Sequence, residues 1–219
     1  MTKLSEFLTE LSARISAAGV SGFWTDTQKT SWLNQAGERV CNYHYWKELE
    51  DALKTITKAN QDYYDMPETL QEGSIYMLTV DGEEHKKKSW AEYQQYKTAE
   101  STDKIFAMHD GYYFVSPTPE EADLEIDIWG IKKWVKLVDA ADESTLSSKF
   151  DEAIIKLALA ICLKKEGEYN EANSEIAEVE NPANPTVENS GGILARLIEQ
   201  EDKGGKDGYI GQAKSSRWD

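Results

Sequence analysis

Work near neutral pH falls to side chains that ionise or coordinate there, and this chain holds three histidines and two cysteines. His44 lies in CNYHYW, His85 in EEHKKK beside a turn, and His109 just before Asp110-Gly111. An imidazole serves as base or metal ligand. None of the three has a partner at the HExxH or HxH spacing that aims two ligands at one point, so all three are expected in structural or surface roles. Cys41 and His44 stand one helical turn apart, a spacing that can pair a thiolate with an imidazolium. Cys41 also adjoins Val40 and Tyr43 in a core-like stripe, which favours a buried, inert thiol. Cys162 lies in a second apolar stretch, and two such cysteines make no disulfide framework. The acidic pairs Glu83-Glu84, Glu120-Glu121 and Asp142-Glu143 fall at no calcium-loop spacing and read as solvated faces. There is no Gly-rich phosphate loop with a following lysine, no GxSxG and no GxGxxG. Gly191-Gly192 could hold an anion at a helix start, but a helix restarting after a Pro-rich linker accounts for them. The basic run from His85 to Trp90 is expected to be a protected edge strand rather than a DNA contact. No catalytic residue, metal or cofactor is expected.

Composition narrows the class. In 219 residues, 24 Lys and Arg stand against 40 Asp and Glu, so the formal charge is 24 − 40 = −16. Such a surface repels phosphate and anionic membrane alike. Hydrophobic residues make up 40% of the chain, enough for a real core and too much for wholesale disorder. Aromatics reach 11%, with 7 Trp and 11 Tyr, and large rings concentrate in cores and interfaces. The longest apolar run, Ile154 to Leu163, contains a lysine and is about half of the ~20 residues a spanning helix needs. The N-terminus lacks the basic-then-apolar pattern of a secretory signal. A soluble protein made inside a cell is expected.

Patterning supplies the elements. Leu4, Phe7, Leu8, Leu11 and Ile15 predict a first helix between Thr2 and Gly19. A second, capped by Asp26, shows Trp32, Leu33, Ala36, Val40 and Tyr43 on one face and continues to about Trp46 or Leu49. From Lys54 to about Leu137 the pattern turns to strands. KTITK alternates, SIYMLTV is followed by the hairpin dipeptide Asp81-Gly82, and KIFAMHDGYYFV repeats the device at Asp110-Gly111. ADLEIDIWG turns Leu124, Ile126 and Ile128 inward and Glu125 and Asp127 outward, with IKKWVKLV continuing past a bend at Gly130. Between the hairpins, Ser89 caps a short helix with Trp90 and Tyr93 on one side. Ser147 or Ser148 caps the most apolar helix, whose buried face is Phe150, Ile154, Leu157, Ala158, Ile161 and Cys162, and Gly167 ends it. An acidic helix with Tyr169, Ala172, Ile176 and Val179 follows, then the breaker NPANP, then a short helix in GGILARLIEQED. The Gly-rich end from Lys203 is expected to be mobile alone. Between Glu166 and Asp202 ten acidic residues face one basic, whereas Lys203 to Asp219 carries +2.

The expected fold is therefore α+β: a helical bundle of N- and C-terminal helices with an inserted β-rich region and an extended C-terminal tail. The boundaries expected are 1–50 for the N-terminal helices, 51–146 for the β insertion, 147–181 for the C-terminal helices, and 182–219 for linker, short helix and tail.

This order resembles the head–tail adaptor (connector, or neck) proteins of tailed bacteriophages. The likeness is carried by KTSWLNQAGERVCNYHYWKEL, QDYYDMPETL, DGEEHKKKSWAEYQQY, YYFVSPTPEEADLEIDIWG and SSKFDEAIIKLALAICLKKEGEYNEA. The resemblance implies a virion structural protein and no enzyme. It implies a homo-oligomeric, dodecameric ring beneath the portal protein, docking of tail or stopper (nozzle) proteins, and genomic DNA passing through the channel, with no membrane partner. Such a protein resides in the virion neck and, during assembly, in the host cytoplasm. Carried onto this chain, it implies that Tyr209, Ile210, Arg217 and Trp218 dock to the portal, while Phe150, Ile154, Leu157 and Ile161 lie on the ring or core helix. The residues leave other readings open: another tail-completion protein, an acidic DNA mimic, or an enzyme built on Cys41 and His44.

Overall fold

The computed structural model describes residues 1–20, 22–99, 101–182 and 191–204, with residues 203 and 204 described by backbone only. The described chain is α+β, with a seven-stranded sheet and six α-helices. It divides into two compact units, Met1–Ser5 with Gly37–Lys149, and Glu6–Ala36 with the residues from Phe150 onward.

The second unit is helical. Helix α1 (Leu4–Ala17) buries Phe7, Leu11 and Ile15, the expected stripe. Helix α2 (Asp26–Tyr43) contributes its first half, where Trp32 and Leu33 are buried and Trp24 meets Trp32 edge-on at 5.1 Å. Thr25, not Asp26, caps α2. Its hydroxyl accepts from Gln28 N–H at 3.3 Å, and Gln28 Oε1 accepts from Thr25 N–H at 3.0 Å. This reciprocal pair satisfies two orphan donors, which leaves Asp26 as the first helical residue. Helix α2 also stops at Tyr43, with only a 3₁₀ turn at Lys47–Leu49 beyond it.

Helix α4 (Asp151–Glu166) is buried round most of its surface, as a helix without a polar face must be. Neither expected serine caps it. Ser148–Phe150 forms a 3₁₀ turn, and Phe150 sits at the N-cap without a side-chain bond. Gly167 ends α4 with φ +89°, a conformation open to glycine at little cost. Helix α5 (Tyr169–Glu180) packs on α4, and α6 (Ile193–Gly204) packs on both. A Cβ on Gly192 would lie 2.4 Å from the Val179 carbonyl oxygen, so the approach of α6 to α5 requires glycine there. Two ion-pair clusters hold this unit. Arg14 Nη1 and Nη2 donate to the Glu152 oxygens at 2.8 and 2.7 Å. Lys156 Nζ donates to Glu175 and Glu178, both at 2.8 Å.

The first unit contains the sheet. Its strands are β1 (Glu50–Ile56), β2 (Tyr63–Asp65), β3 (Met77–Val80), β4 (Glu83–Lys87), β5 (Ile105–His109), β6 (Tyr112–Ser116) and β7 (Glu125–Ile131), in the spatial order β1-β7-β3-β4-β5-β6-β2. The two edge strands, β1 and β2, are consecutive in sequence. Laid flat, seven strands put the edges about 29 Å apart, while the seven peptide steps from Ile56 to Tyr63 reach at most about 25 Å. The sheet therefore curls. Its concave face encloses Leu78, Phe106, Tyr113, Val115, Ile126 and Ile128. Both hairpin dipeptides form as expected, with φ +50° and +74° at Asp81-Gly82 and +51° and +78° at Asp110-Gly111, the pair a two-residue type I′ turn demands.

Strand β4 is not an edge. It lies between β3, antiparallel, and β5, parallel. Parallel neighbours need a crossover, and helix α3 (Trp90–Thr98) provides it. Ser89 caps α3, as expected, and does so in a full capping box with Glu92. Gly130 is no bend. It lies inside β7, where a Cβ would come within 2.7 Å of Leu70 Cδ1, and the chain leaves the sheet after Ile131.

Candidate functional site

The histidines and cysteines are placed among rings and core side chains. His85 is buried in β4 with its Nδ1 3.0 Å from the Glu83 carbonyl oxygen. Burial lowers its pKa, so it stays neutral. His44 meets Trp46 edge-on at 5.0 Å. His109 lies flat on Trp90 at 4.5 Å. Cys41 is buried in α2, and desolvation pushes its thiol up to about 12. Cys162 is buried in α4 and is likewise pushed up by desolvation, to about 11. A buried thiol held protonated at neutral pH is a poor nucleophile, which argues against the Cys41–His44 pair as a reactive centre. Among the described residues no group of three or more His, Cys, Asp or Glu is placed to hold a metal ion. No described helix is long and apolar enough to cross a membrane.

What remains is surface. In the helical unit Phe150, Ile154 and Leu157 are buried, whereas Ile161 is half-buried. A cleft of about 930 Å³ runs between α4, α5 and α6, with Glu152, Lys156, Glu178 and Arg196 among its lining residues. Glu152 and Lys156 already hold ion-pair partners, while Arg196 is exposed on the wall. Tyr209, Ile210, Arg217 and Trp218 lie outside the described residues.

In the β unit the convex face of β5 and β6 is covered by α3. Tyr93 is buried there and donates its hydroxyl to the Val115 carbonyl at 3.1 Å, and burial pushes that phenol up. One turn earlier, Trp90 lies between Tyr93 at 5.5 Å and His109, each nearly parallel to it. The aromatic run continues outward through Phe114, 4.6 Å from Trp90, to Tyr63 and Tyr112, which are 51% and 38% exposed and 5.9 Å apart. The exposed end of this run escaped sequence reasoning, because β2, β6 and α3 are brought together only by the strand order. The one available signal was the aromatic surplus.

No curated protein sequence matches the chain. Both cysteines and His85 are buried, His44 is half-buried and His109 exposed. Residues 2–184 match the family model described as SU10 adaptor protein, and the chain belongs to that family of phage head–tail adaptors.

Proposed function

We propose that this chain works by docking and not by catalysis: copies of it assemble as a ring beneath the portal, take up tail or stopper proteins on the far side, and leave a channel for DNA. The observation that carries the reading is the family match over residues 2–184. In this reading the helices of 1–50 and 147–181 grip neighbouring copies. Of the four ring-helix residues, Ile161 is the one with surface left to offer, since Phe150, Ile154 and Leu157 are spent on their own core. The segment from Pro182 to the end reaches the portal, with Tyr209, Ile210, Arg217 and Trp218 as anchors. Large rings and arginine are the side chains that dominate such contacts. Charge supports the same division. The chain carries −16, and Lys203 to Asp219 carries +2, so the remainder carries −16 − 2 = −18, a surface that DNA passes without adhering.

The test is a pull-down of purified portal with the full chain and with a chain ending at Asp202. The truncated chain is expected to fold and to lose portal attachment. Equal affinity of the two for portal refutes the tail assignment. Imaging of particles should place the full chain at the portal vertex, and its absence from that vertex refutes the function.

A further inference from the structure

The tip of the β5–β6 hairpin offers a surface that nothing above uses. Met66, Met108 and Tyr112 line a cleft of about 260 Å³ around the Asp110-Gly111 turn, and His109 closes one side. Tyr63 extends the same apolar surface across strand β2. Methionine and aromatic side chains are the types enriched where proteins meet; here Tyr63 and Tyr112 are exposed, while Met66 and Met108 are half-buried and pack against the core of the sheet. The frame is fixed in advance. Met66 N–H donates to the Gly111 carbonyl at 2.9 Å. Lys87 Nζ donates to the carbonyls of Gly73 and Ile75 at 3.2 and 2.8 Å, which holds the loop that carries Glu72.

The rim determines what fits. Glu72 and Asp110 line the cleft, and Asp65 sits exposed at the end of β2. Some carboxylates of this unit hold lysines, as Glu125 and Asp127 take Lys54, Asp62 takes Lys97 and Glu83 takes Lys104, while many others, in a chain of net charge −16, do not. Glu72, Asp65 and Asp110 hold none among the described residues. An apolar, ring-lined floor with three uncompensated carboxylates around it matches a cation next to an apolar side chain, through charge and through cation–π attraction to the rings.

We infer that this hairpin tip is the docking surface for a segment of the tail-side partner in which a Lys or Arg lies next to an aromatic or aliphatic residue. The inference rests on the adaptor reading above and names the partner chemistry of one of its surfaces.

The probe is the tripeptide acetyl-Lys-Trp-Lys-amide, titrated into the ¹⁵N-labelled full chain, with acetyl-Glu-Trp-Glu-amide as control. The cationic probe is expected to shift the amides of Met66, Met108, Gly111 and Tyr112 saturably, and the anionic one to leave them in place. The Glu72→Gln, Asp110→Asn variant should weaken the site at least tenfold. Asparagine accepts the positive φ of the turn, so this variant keeps the hairpin even where Tyr112→Ala disturbs it. Shifts confined to the carboxylate-rich α5, or equal shifts from both probes, overturn the inference. Particles assembled with the variant should carry the adaptor on the portal and lack tails. Tails at the normal frequency overturn the surface assignment and leave the adaptor reading standing. A wild-type chain missing from the portal vertex overturns the adaptor reading itself, whatever the peptides do.

Discussion

Helix propensity and packing make opposite predictions at Gly37, in the middle of α2. Propensity favours Gly37→Ala by about 1 kcal/mol, because alanine loses less backbone freedom in a helix. Packing opposes it. The new Cβ would lie 2.4, 2.5 and 2.6 Å from Cζ2, Cε2 and Cη2 of Trp134. Carbon atoms rest at about 3.5–4.0 Å, so the overlap exceeds about 1 Å on three ring atoms at once. The indole cannot swing aside cheaply, because Trp134 is only 7% exposed. Overpacking of this kind costs about 1–3 kcal/mol, and a rigid ring belongs at the upper end. Subtracting the propensity gain leaves Gly37→Ala destabilising by about 2 kcal/mol. Urea unfolding followed by tryptophan fluorescence should show a lower midpoint at unchanged slope. In a chain of this length the melting temperature should fall by roughly 4–8 °C, at about 2–4 °C per kcal/mol. A double-variant cycle adds a sharper criterion. Trp134→Leu should cost stability alone, yet cost less in the Gly37→Ala background, because the clash has gone. A Gly37→Ala chain more stable than the parent, or strict additivity with Trp134→Leu, refutes the close packing of α2 against Trp134.

Three further outcomes follow from single contacts. Gly192→Ala should destabilise the helical unit by about 2 kcal/mol or more, since its Cβ would meet the Val179 carbonyl at 2.4 Å and backbone cannot yield; an unchanged unfolding midpoint contradicts it. Burial alone would raise the Glu48 carboxyl, but the Ser147 N–H, Lys149 and the Ser147 hydroxyl outweigh it and hold the group below its ordinary value. A depressed carboxyl stabilises the fold above the unfolded pKa of about 4.3 and ceases to do so as pH falls through the folded value. Stability against pH should therefore fall less steeply below about pH 4.3 in Glu48→Gln than in the parent, and identical slopes would count against the Ser147 contact. Both thiols should react with a disulfide reagent only as the chain unfolds, because burial raises Cys41 to about 12 and Cys162 to about 11; rapid labelling of native protein rules this placement out.

The elements readable from sequence were those with local causes. The α1 stripe, the Ser89 cap, the two Asp-Gly turns, the Gly167 stop and the Ile126–Ile128 alternation each follow from residues within one or two turns of chain. Misplaced elements had causes elsewhere. Strand β4 looked like an edge because EEHKK offers only His85 to a core. It survives inside the sheet because Glu84 and Lys86 point to the convex side, and because Lys87 turns its ammonium to the carbonyls of Gly73 and Ile75. A charged strand is tolerated in mid-sheet when its charges find partners there. Gly130 looked like a bend because glycine in a strand often marks one; its reason is instead Leu70, 60 residues earlier in the chain and packed where a Cβ would stand. Neither partner shows in a local window.

The same distinction separates what a local window shows of a catalytic motif from what it shows of a docking surface. A catalytic signature is legible when a short spacing fixes two groups on one face, as with the two histidines of HExxH. A docking surface has no such constraint. At the hairpin tip, Met66 follows β2, Glu72 belongs to the loop before β3, and His109 and Tyr112 flank the β5–β6 turn. Their meeting depends on strand order and on α3, whose Tyr93 is anchored to Val115 and so sets Trp90 over His109. If α3 only covered apolar strands, a buried Trp90 and a polar turn would be enough. Instead the stacked rings run out to the surface beside carboxylates that hold no lysine. Exposing Tyr63 and Tyr112 forgoes part of the ~1.5–3 kcal/mol that burying a large side chain returns. The docking proposed above would return it, because the same area would be buried in the complex.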